Sequence, residues 1–392
     1  VANSGTVGFK QSQTQFADVY ANSLTGAGGS SVGIGVKVAQ VVQQFTQGNV
    51  TATNNPLDMA INGGGFFRMD NNGEITYQRN GQFQLDRLGA IVNSSGAQLT
   101  GYTANASGVL STGAPAPLTI NTSDLAPQIT SEINAVLNLN SGSTPIDVAA
   151  TPFNMNDPTT FHFSTAVSVY DSLGNTQTLQ TFYVKRPSGA WDVYAANDGT
   201  VIDPDTTNAV IDPVTTLNFN TSGALTTGMP IGPVNVPATA TGATTPFPVT
   251  IDFTGTTQFG SAFSVNTLNQ DGFTSGRLAG FNIGSDGMVV GRYTNGQTAV
   301  LGQVVLASFA NPNGLKPLGN NMWSETASSG VALVGTPDSG SLGVLQSSAV
   351  EDSNVDLTAE LVNLITAQRV YQANAQTIKA QDAVLQTLVN LR

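Results

Sequence analysis

Cysteine is absent from the 392 residues, and His162 is the sole imidazole. Disulfide frameworks, zinc–cysteine sites, iron–sulfur ligation and thiol chemistry are excluded by that composition alone. Cations are scarce too: 13 Lys and Arg stand against 25 Asp and Glu, for a formal net charge of −12. A nucleic-acid binder neutralises phosphates with clustered cations, and few are available here. Charged residues of both signs make up only 10%, against about 25% in an average soluble chain. No run approaches the ~18 consecutive apolar residues of a membrane span. The opening Val1-Ala2-Asn3-Ser4-Gly5 has no basic segment, apolar run or initiator Met, so it is no signal peptide and residues are expected upstream of it. Lack of Cys fits a reducing interior or an export route that makes no disulfides.

What is present is enough to build cores: 40% of the residues are hydrophobic. At ~100–200 residues per domain the length implies two to four domains. Between Leu88 and Gly276 the only basic residues are Lys185 and Arg186, and the region is rich in Thr, Asn, Pro and Gly. Period-two alternation over Phe161–Tyr170, Thr178–Val184, Trp191–Tyr194 and Pro248–Phe253 predicts antiparallel strands. Turn signals lie at Asp171–Asn175, Asp198-Gly199 and Asp212-Pro213, and a long loop is expected within Thr200–Gly232. Ala126–Gly276 therefore reads as an all-β domain, a barrel or sandwich.

Two shorter β-rich segments flank it. The first runs from Asp58 through Gly63-Gly64-Gly65 and Phe66–Met69, with turns at Asn71–Gly73 and Asn80-Gly81. The second takes in Phe281–Ile283, Met288–Tyr293 and Ala299–Ser308, with turns at Asp286-Gly287 and Asn295-Gly296. Each Asn-Gly or Asp-Gly between apolar alternations is a hairpin signal. Together the segments are expected to form one discontinuous β domain, with the middle domain inserted at a loop.

The C-terminus breaks the pattern. Ser353-Asn354-Val355-Asp356 has the form of a capping box, after which neither Gly nor Pro occurs. Leu357, Leu361, Leu364, Gln368, Tyr371, Ala375, Ile378, Asp382, Leu385 and Val389 recur at spacings of four and three, a heptad-like stripe interrupted by Gln368 and Asp382. Leu388 and Leu391 widen the apolar surface. A helix of this length has few ways to bury such a stripe within a β-rich monomer, so it requires partners.

The polar residues offer no chemical site. His162, between Phe161 and Phe163, reads as a surface or inter-strand histidine. Asp70-Asn-Asn-Gly-Glu74 resembles a calcium loop, but Ile75 stands where the sixth-position Gly is required. It reads better as a hairpin turn, and Asp198, Asp203 and Asp205 as a solvated loop. Gly33-Ile34-Gly35 lacks its third glycine, and Gly63–Gly65 has no downstream Lys-Ser or Lys-Thr, so both read as turns or close backbone approaches. No catalytic, metal-binding or cofactor-binding residue is assigned.

The remaining pattern carries a resemblance. Asp58-x-Ala60-Ile61-x-Gly63-x-Gly65-Phe66-Phe67, Tyr77-x-Arg79-Asn80-Gly81-x-Phe83 and Gly101-Tyr102 resemble the core signature of bacterial flagellar rod and hook proteins. Glu351-x-Ser353-Asn354-Val355-Asp356-Leu357 is similar to the start of their C-terminal helix, and Gln368-Arg369-x-Tyr371-Gln372-Ala373-Asn374 to its middle. Ala2-Asn3-Ser4-x-Thr6-x-Gly8-Phe9-Lys10 resembles the segment following their N-terminal helix, which the chain as given starts after. The likeness covers most of residues 1–110 and 277–392. Leu301–Phe309, Asn313-Gly314-Leu315 and Asn320-x-x-Trp323, with the inserted middle domain, bring it nearest the hook subunits.

That resemblance implies a mainly β multidomain axial protein with a long C-terminal α-helix. Residues 1–50 and 345–392 would be an inner linker and coiled-coil domain, 51–125 and 277–344 a discontinuous β domain, and 126–276 an inserted outer domain, each β domain barrel- or sandwich-like. The implied function is a curved, flexible, extracellular tube of identical subunits, exported through the flagellar channel, that transmits motor torque to the filament. Distal rod, hook cap and hook–filament junction proteins are the implied partners, with no nucleic acid and no membrane insertion. Leu357, Leu361, Leu364, Gln368, Tyr371, Ile378, Leu385 and Leu388 would form the assembly seam, Gln368 and Asp382 setting register or simply edging the apolar face. Asp58, Gly63, Gly65, Phe66, Arg79, Asn80, Gly81, Ser353, Asn354, Asp356 and Arg369 are the signature positions. Gly5–Gly48, with Ile34-x-Val36-x-Val38 and Val41-Val42, is expected to be an extended, packed strand or two contributing contacts that let the tube bend. A distal rod subunit, and a secreted adhesin or glycan-binding module, are the alternative readings; the last predicts a soluble monomer with a ligand-dependent stability shift.

Overall fold

The computed structural model describes residues 2–20, 33–105, 107–207, 210–239 and 242–390, the side chains of Tyr20, Ile34 and residues 388–390 excepted. It is mainly β, in two compact units, with one long α-helix, α1 (Leu357–Asn390). One unit comprises 1–122, 279–292 and 298–392; the other comprises 123–278 and 293–297.

The largest sheet, all but Leu278 and Tyr293 of it in the first unit, runs, strand by neighbouring strand, Leu278–Ile283, Met288–Tyr293, Thr298–Val304, Gln98–Thr103, Phe66–Asn71, Glu74–Gln78, Met322–Ser324 and Lys316–Gly319. The expected turn at Asn71–Gly73 is there. Asn71 pairs with Glu74, so Asn72 and Gly73 form the two-residue connection, both at positive φ (54° and 93°). Asp70 supports it by accepting the Gly73 N–H at 2.6 Å. Under the sheet Phe66, Tyr77, Phe309 and Trp323 pack with Phe45. Their rings meet edge to face, Tyr77 on Phe309 at 4.8 Å and Phe45 on Phe66 at 5.3 Å, the arrangement that aromatic quadrupoles favour.

Two short antiparallel pairs return the chain's end to its beginning: Val344–Ser347 on Met59–Asn62, and Ala349–Glu351 on Val50–Ala52. Ahead of them lies a two-stranded ribbon of β1 (Ser12–Tyr20) and β2 (Gly33–Gln43), with a bulge opposite Gln15 and Phe16. The extended conformation expected for this segment is present, but the packing is not. Phe16, Val36, Val38 and Val41 are exposed, because the pairing of Phe16 with Val38, Asp18 with Val36 and Thr14 with Val41 gathers them on one face that none of the described residues covers.

The second unit is a sandwich of two sheets. One holds Ile231–Val236, Phe247–Asp252, Glu132–Asn138 and Ser264–Gln270 in that order; the other holds Phe163–Tyr170, Thr176–Lys185, Trp191–Asn197 and Thr200–Ile202, with Thr215–Leu217 beside Trp191–Asn197. Their inner faces share a core that includes Ile133, Leu137, Leu179, Tyr183, Trp191, Phe247 and Phe253. The antiparallel expectation needs one correction, since Glu132–Asn138 and Phe247–Asp252 run parallel. The long connection between those two strands accommodates the whole second sheet, which removes the need for a hairpin. Trp191–Asn197 is buried at every position because a second cluster, with Phe153 stacked 4.2 Å from Tyr194, covers its other face. The turn at Asp171–Asn175 joins Phe163–Tyr170 to Thr176–Lys185, and Asp198-Gly199 is the two-residue turn between Asn197 and Thr200. His162 is an inter-strand residue: its Nδ1 accepts the Lys185 N–H at 3.1 Å and its Nε2 lies 2.6 Å from the Thr144 carbonyl.

Candidate functional site

α1 spans 34 residues, about 51 Å at 1.5 Å per residue. Its start corrects the capping-box reading. Asp356, not Ser353, is the cap: its Oδ1 accepts the N–H groups of Thr358 at 2.8 Å and Ala359 at 3.1 Å. Ser353 Oγ accepts the Val355 N–H at 3.3 Å, one turn too early to reach helical amides.

Along α1 the predicted stripe is laid open to solvent. Leu357, Leu361 and Leu364 are close to half exposed, while Tyr371 and Ile378 are 77% and 70% exposed. Leu385, Gln368, Arg369 and Asp382 are exposed as well. Asp382 Oδ2 takes the Gln386 side chain at 3.3 Å within the same helix. The Leu388 side chain lies outside the described residues.

The root of α1 is the opposite: buried and ionic. Glu351 ends the last strand before the helix and is fully buried. Its Oε1 accepts Lys10 Nζ at 2.6 Å and the Gly48 N–H at 2.9 Å. Its Oε2 is ion-paired to Arg79 Nε at 3.0 Å. Lys10 also donates to the Thr46 carbonyl at 2.7 Å, and Arg79 to the carbonyls of Gly65 at 2.6 Å and Gly63 at 2.9 Å. Three residues further on, Asn354 Oδ1 accepts the Gln11 N–H at 2.7 Å, and Asn354 Nδ2 donates to the Gln44 carbonyl at 2.7 Å. Gln11 in turn reaches Glu360, in the first turn of α1, at 2.7 Å. Burial pushes the Lys10 ammonium below its usual range, Glu351 partly offsetting this and Arg79 adding to it. Burial also lowers Arg79, again against the pull of Glu351. The guanidinium keeps its proton, as guanidinium groups in proteins do.

Four backbone segments cross here in close contact, which explains two glycines. A Cβ on Gly48 would sit 2.1 Å from the Asp352 carbonyl oxygen, and one on Gly8 2.5 Å from the Asn80 amide nitrogen. Gly8 is also at φ +69° and donates its N–H to the Glu351 carbonyl at 2.7 Å.

The signature residues thus divide by role. Gly63, Gly65, Arg79 and Asn354 converge on the root. Asp58 accepts Thr53 Oγ1 at 2.8 Å and Asn55 Nδ2 at 3.0 Å in the turn entering its strand. Asn80 accepts the Gln82 N–H, Gly81 accepts the Met59 N–H at 2.9 Å, and Phe66 belongs to the aromatic core. Ser353 and Asp356 shape the helix start, and Arg369 lies out along it. Lys10 and Glu351 were not among the predicted site residues. The signal was available, as each lies inside a signature block and Lys10 is one of 13 cations. Among the described residues no group of three or more His, Cys, Asp or Glu is placed to hold a metal, and no helix is long and apolar enough to cross a membrane.

Three family models match in chain order. They are the flagellar hook protein FlgE/F/G D1 domain over residues 60–136, the flagellar basal body protein FlaE D2 domain over 138–273, and the flagellar basal body rod FlgEFG protein C-terminal model over 346–391. The flagellar hook protein FlgE of Salmonella typhimurium is 44% identical over 396 residues, covering the whole of this chain and 94% of its own length. That of Escherichia coli is 43% identical over the same extent. The chain belongs to the flagellar hook protein family. As a hook-family chain it is a structural, polymer-forming subunit rather than an enzyme, and it resides in the extracellular hook. The crystal structure of Helicobacter pylori flagellar hook protein FlgE2 shares the fold, with a TM-score of 0.54 at 13% identity over 76% of this chain and 99% of that one.

Proposed function

We propose that copies of this hook-family chain assemble through α1, with Leu357, Leu361, Leu364, Tyr371, Ile378, Leu385 and Leu388 forming the seam between neighbouring helices. One observation carries the reading: a helix of 34 residues is anchored at its root and leaves its apolar stripe uncovered from Leu357 to Leu385. Moving a partly exposed Leu or Ile into full burial contributes roughly 1–2 kcal/mol per side chain. Seven such side chains repeated at each subunit supply a substantial part of a lattice contact. The polymer is a curved, flexible tube that passes motor torque to the filament. Residues 1–50 and 345–392 form its inner wall, 51–125 and 277–344 the next layer, and 126–276 the outermost. Low charge and abundant Thr, Asn and Gln favour wet outer contacts that exchange as the tube bends. Its two ends meet the distal rod on one side and cap and junction proteins on the other, after export through the flagellar channel.

Replacing Leu361 and Leu364 together by Asp tests the seam. Sedimentation and electron microscopy are expected to show loss of polymer, while circular dichroism and the thermal melt of the sheets stay as in the parent chain. Polymers of normal length from that variant overturn the seam. Straight polymers from the parent chain would favour a distal-rod role.

A further inference from the structure

The buried ionic cluster at the root of α1 exceeds what anchoring a helix requires. Two basic side chains share one carboxylate there, all three essentially excluded from water. An apolar plug of similar volume holds such a junction at least as strongly, since buried ion pairs repay little more than their desolvation. What charged, directional hydrogen bonds supply instead is geometry. The partners come from four separate stretches of chain: Lys10 before β1, Thr46 and Gly48 after β2, Arg79 with the Gly63 and Gly65 carbonyls in the sheet body, and Glu351 before α1. Both elements that leave the body with uncovered apolar faces, the β1–β2 ribbon and α1, are therefore tied to it and to each other through one carboxylate. The side chains of Gln11, Thr46 and Asn354 and the main-chain carbonyl of Gln44 complete the joint with polar bonds, beside the packing of Phe45 on Phe66 and Trp323.

We infer that Lys10, Arg79 and Glu351 form an electrostatic latch that sets the direction in which α1 and the β1–β2 ribbon leave the sheet body, with Glu351 as the positioning residue. The latch makes the two faces a single unit, so a change at one is transmitted to the other. Its link to polymer shape rests on assembly through α1; the latch itself does not.

Hydrogen exchange on the full, unassembled chain separates the two. Glu351→Gln keeps the size and one acceptor but leaves Lys10 and Arg79 buried without their counter-charge. Exchange is expected to rise by an order of magnitude or more at the amides of Gly8, Gln11 and Gly48 and in the first turn of α1, with Phe67, Gln78 and Tyr183 unchanged. Lys10→Met/Glu351→Gln removes one of the stranded cations, while Arg79 stays satisfied by the Gly63 and Gly65 carbonyls. It should recover most of that protection, so that the two substitutions are strongly non-additive. Electron microscopy of assembled material should then show polymers of altered or mixed curvature for Glu351→Gln, shifted back towards the parent shape in the double variant. Unchanged exchange at the crossing overturns the latch. So does a uniform rise across Phe67 and Gln78 that the double variant fails to recover, which is the signature of a cluster that merely adds stability. Loss of assembly in the parent chain would sink the seam and leave the exchange result standing.

Discussion

At the scale of single residues, the buried polar groups carry the sharpest consequences. Asp171 is fully buried at the turn joining two strands of the second unit. Burial alone would raise its pKa, but the Asn175 side chain and the amides of Asn175, Leu173 and Gly174 outweigh it and hold the carboxyl below the usual range. Asp271 behaves alike, with the Ser131 hydroxyl and the Glu132 and Ser131 amides overcoming its desolvation. A folded-state pKa below the unfolded value of about 3.9 means that the unfolded chain binds more protons in acid. The stability from these carboxylates is thus present above that value and lost as pH falls through the folded one. Asp171→Asn is expected to be less stable at neutral pH and to lose stability less steeply below about pH 4, as followed by the tryptophan signal of Trp191 in acid titrations. In the first unit, Trp323 Nε1 donates to Gln43 Oε1 at 2.6 Å. Gln43→Leu, by orphaning that indole N–H, should cost about 1–2 kcal/mol in the denaturant midpoint of the same unit.

At the scale of elements, α1 and the β1–β2 ribbon present one problem in two forms: an apolar face with no cover among the described residues. The helix is legible from sequence because its 3.6-residue period and the lack of Gly and Pro do not depend on what it packs against. The sequence pattern places its cap three residues early, because Ser353 and Asp356 are both good caps and only the path of the backbone through the root selects between them. Asp356→Ala should lower helix stability by about 1 kcal/mol. The fraying should appear as faster exchange at Thr358 and Ala359, with the rest of α1 unaffected. The ribbon was legible as extended chain, whereas its exposure was not. Alternating Val residues look the same whether the covering surface belongs to the same chain or to another. Phe16→Ser with Val38→Ser should therefore leave the monomer's melt within about 0.5 kcal/mol of the parent, the range of ordinary surface changes.

At the scale of the whole molecule, the second unit contains its own core between two sheets and a second cluster on one outer face. Chain length alone allows such a unit to fold independently. Expressed as residues 123–278, it should give a cooperative melt with buried-tryptophan fluorescence from Trp191. A chain lacking 126–276 should still form tubes through α1, with curvature or stiffness changed. Loss of all assembly in that deletion would contradict the layered arrangement, and its measurement is the length and curvature distribution of polymers under the electron microscope.

Sequence by itself determined the parts of this protein governed by local rules. Asn72-Gly73, Asp198-Gly199 and the Asp171–Asn175 turn follow from which residues tolerate positive φ or bond their own backbone, and they lie where the pattern puts them. The missing cysteine, the lone histidine and the sparse cations excluded whole chemistries without reference to fold. The glycine and aromatic motifs, with the helix motif, were enough to point to the hook family. Only the tertiary structure decided why those motifs exist. Arg79, Glu351, Lys10 and Asn354 are separated by as many as 344 positions, and no periodicity relates them. Their meeting depends on the short strand pairs that return the chain's end to its beginning, and on Gly8 and Gly48 letting backbones cross in contact. Likewise the parallel pair in the second unit and the doubly buried Trp191–Asn197 strand were set by which surfaces meet. Patterns along the chain record which side chains seek cover, and long-range packing determines what covers them.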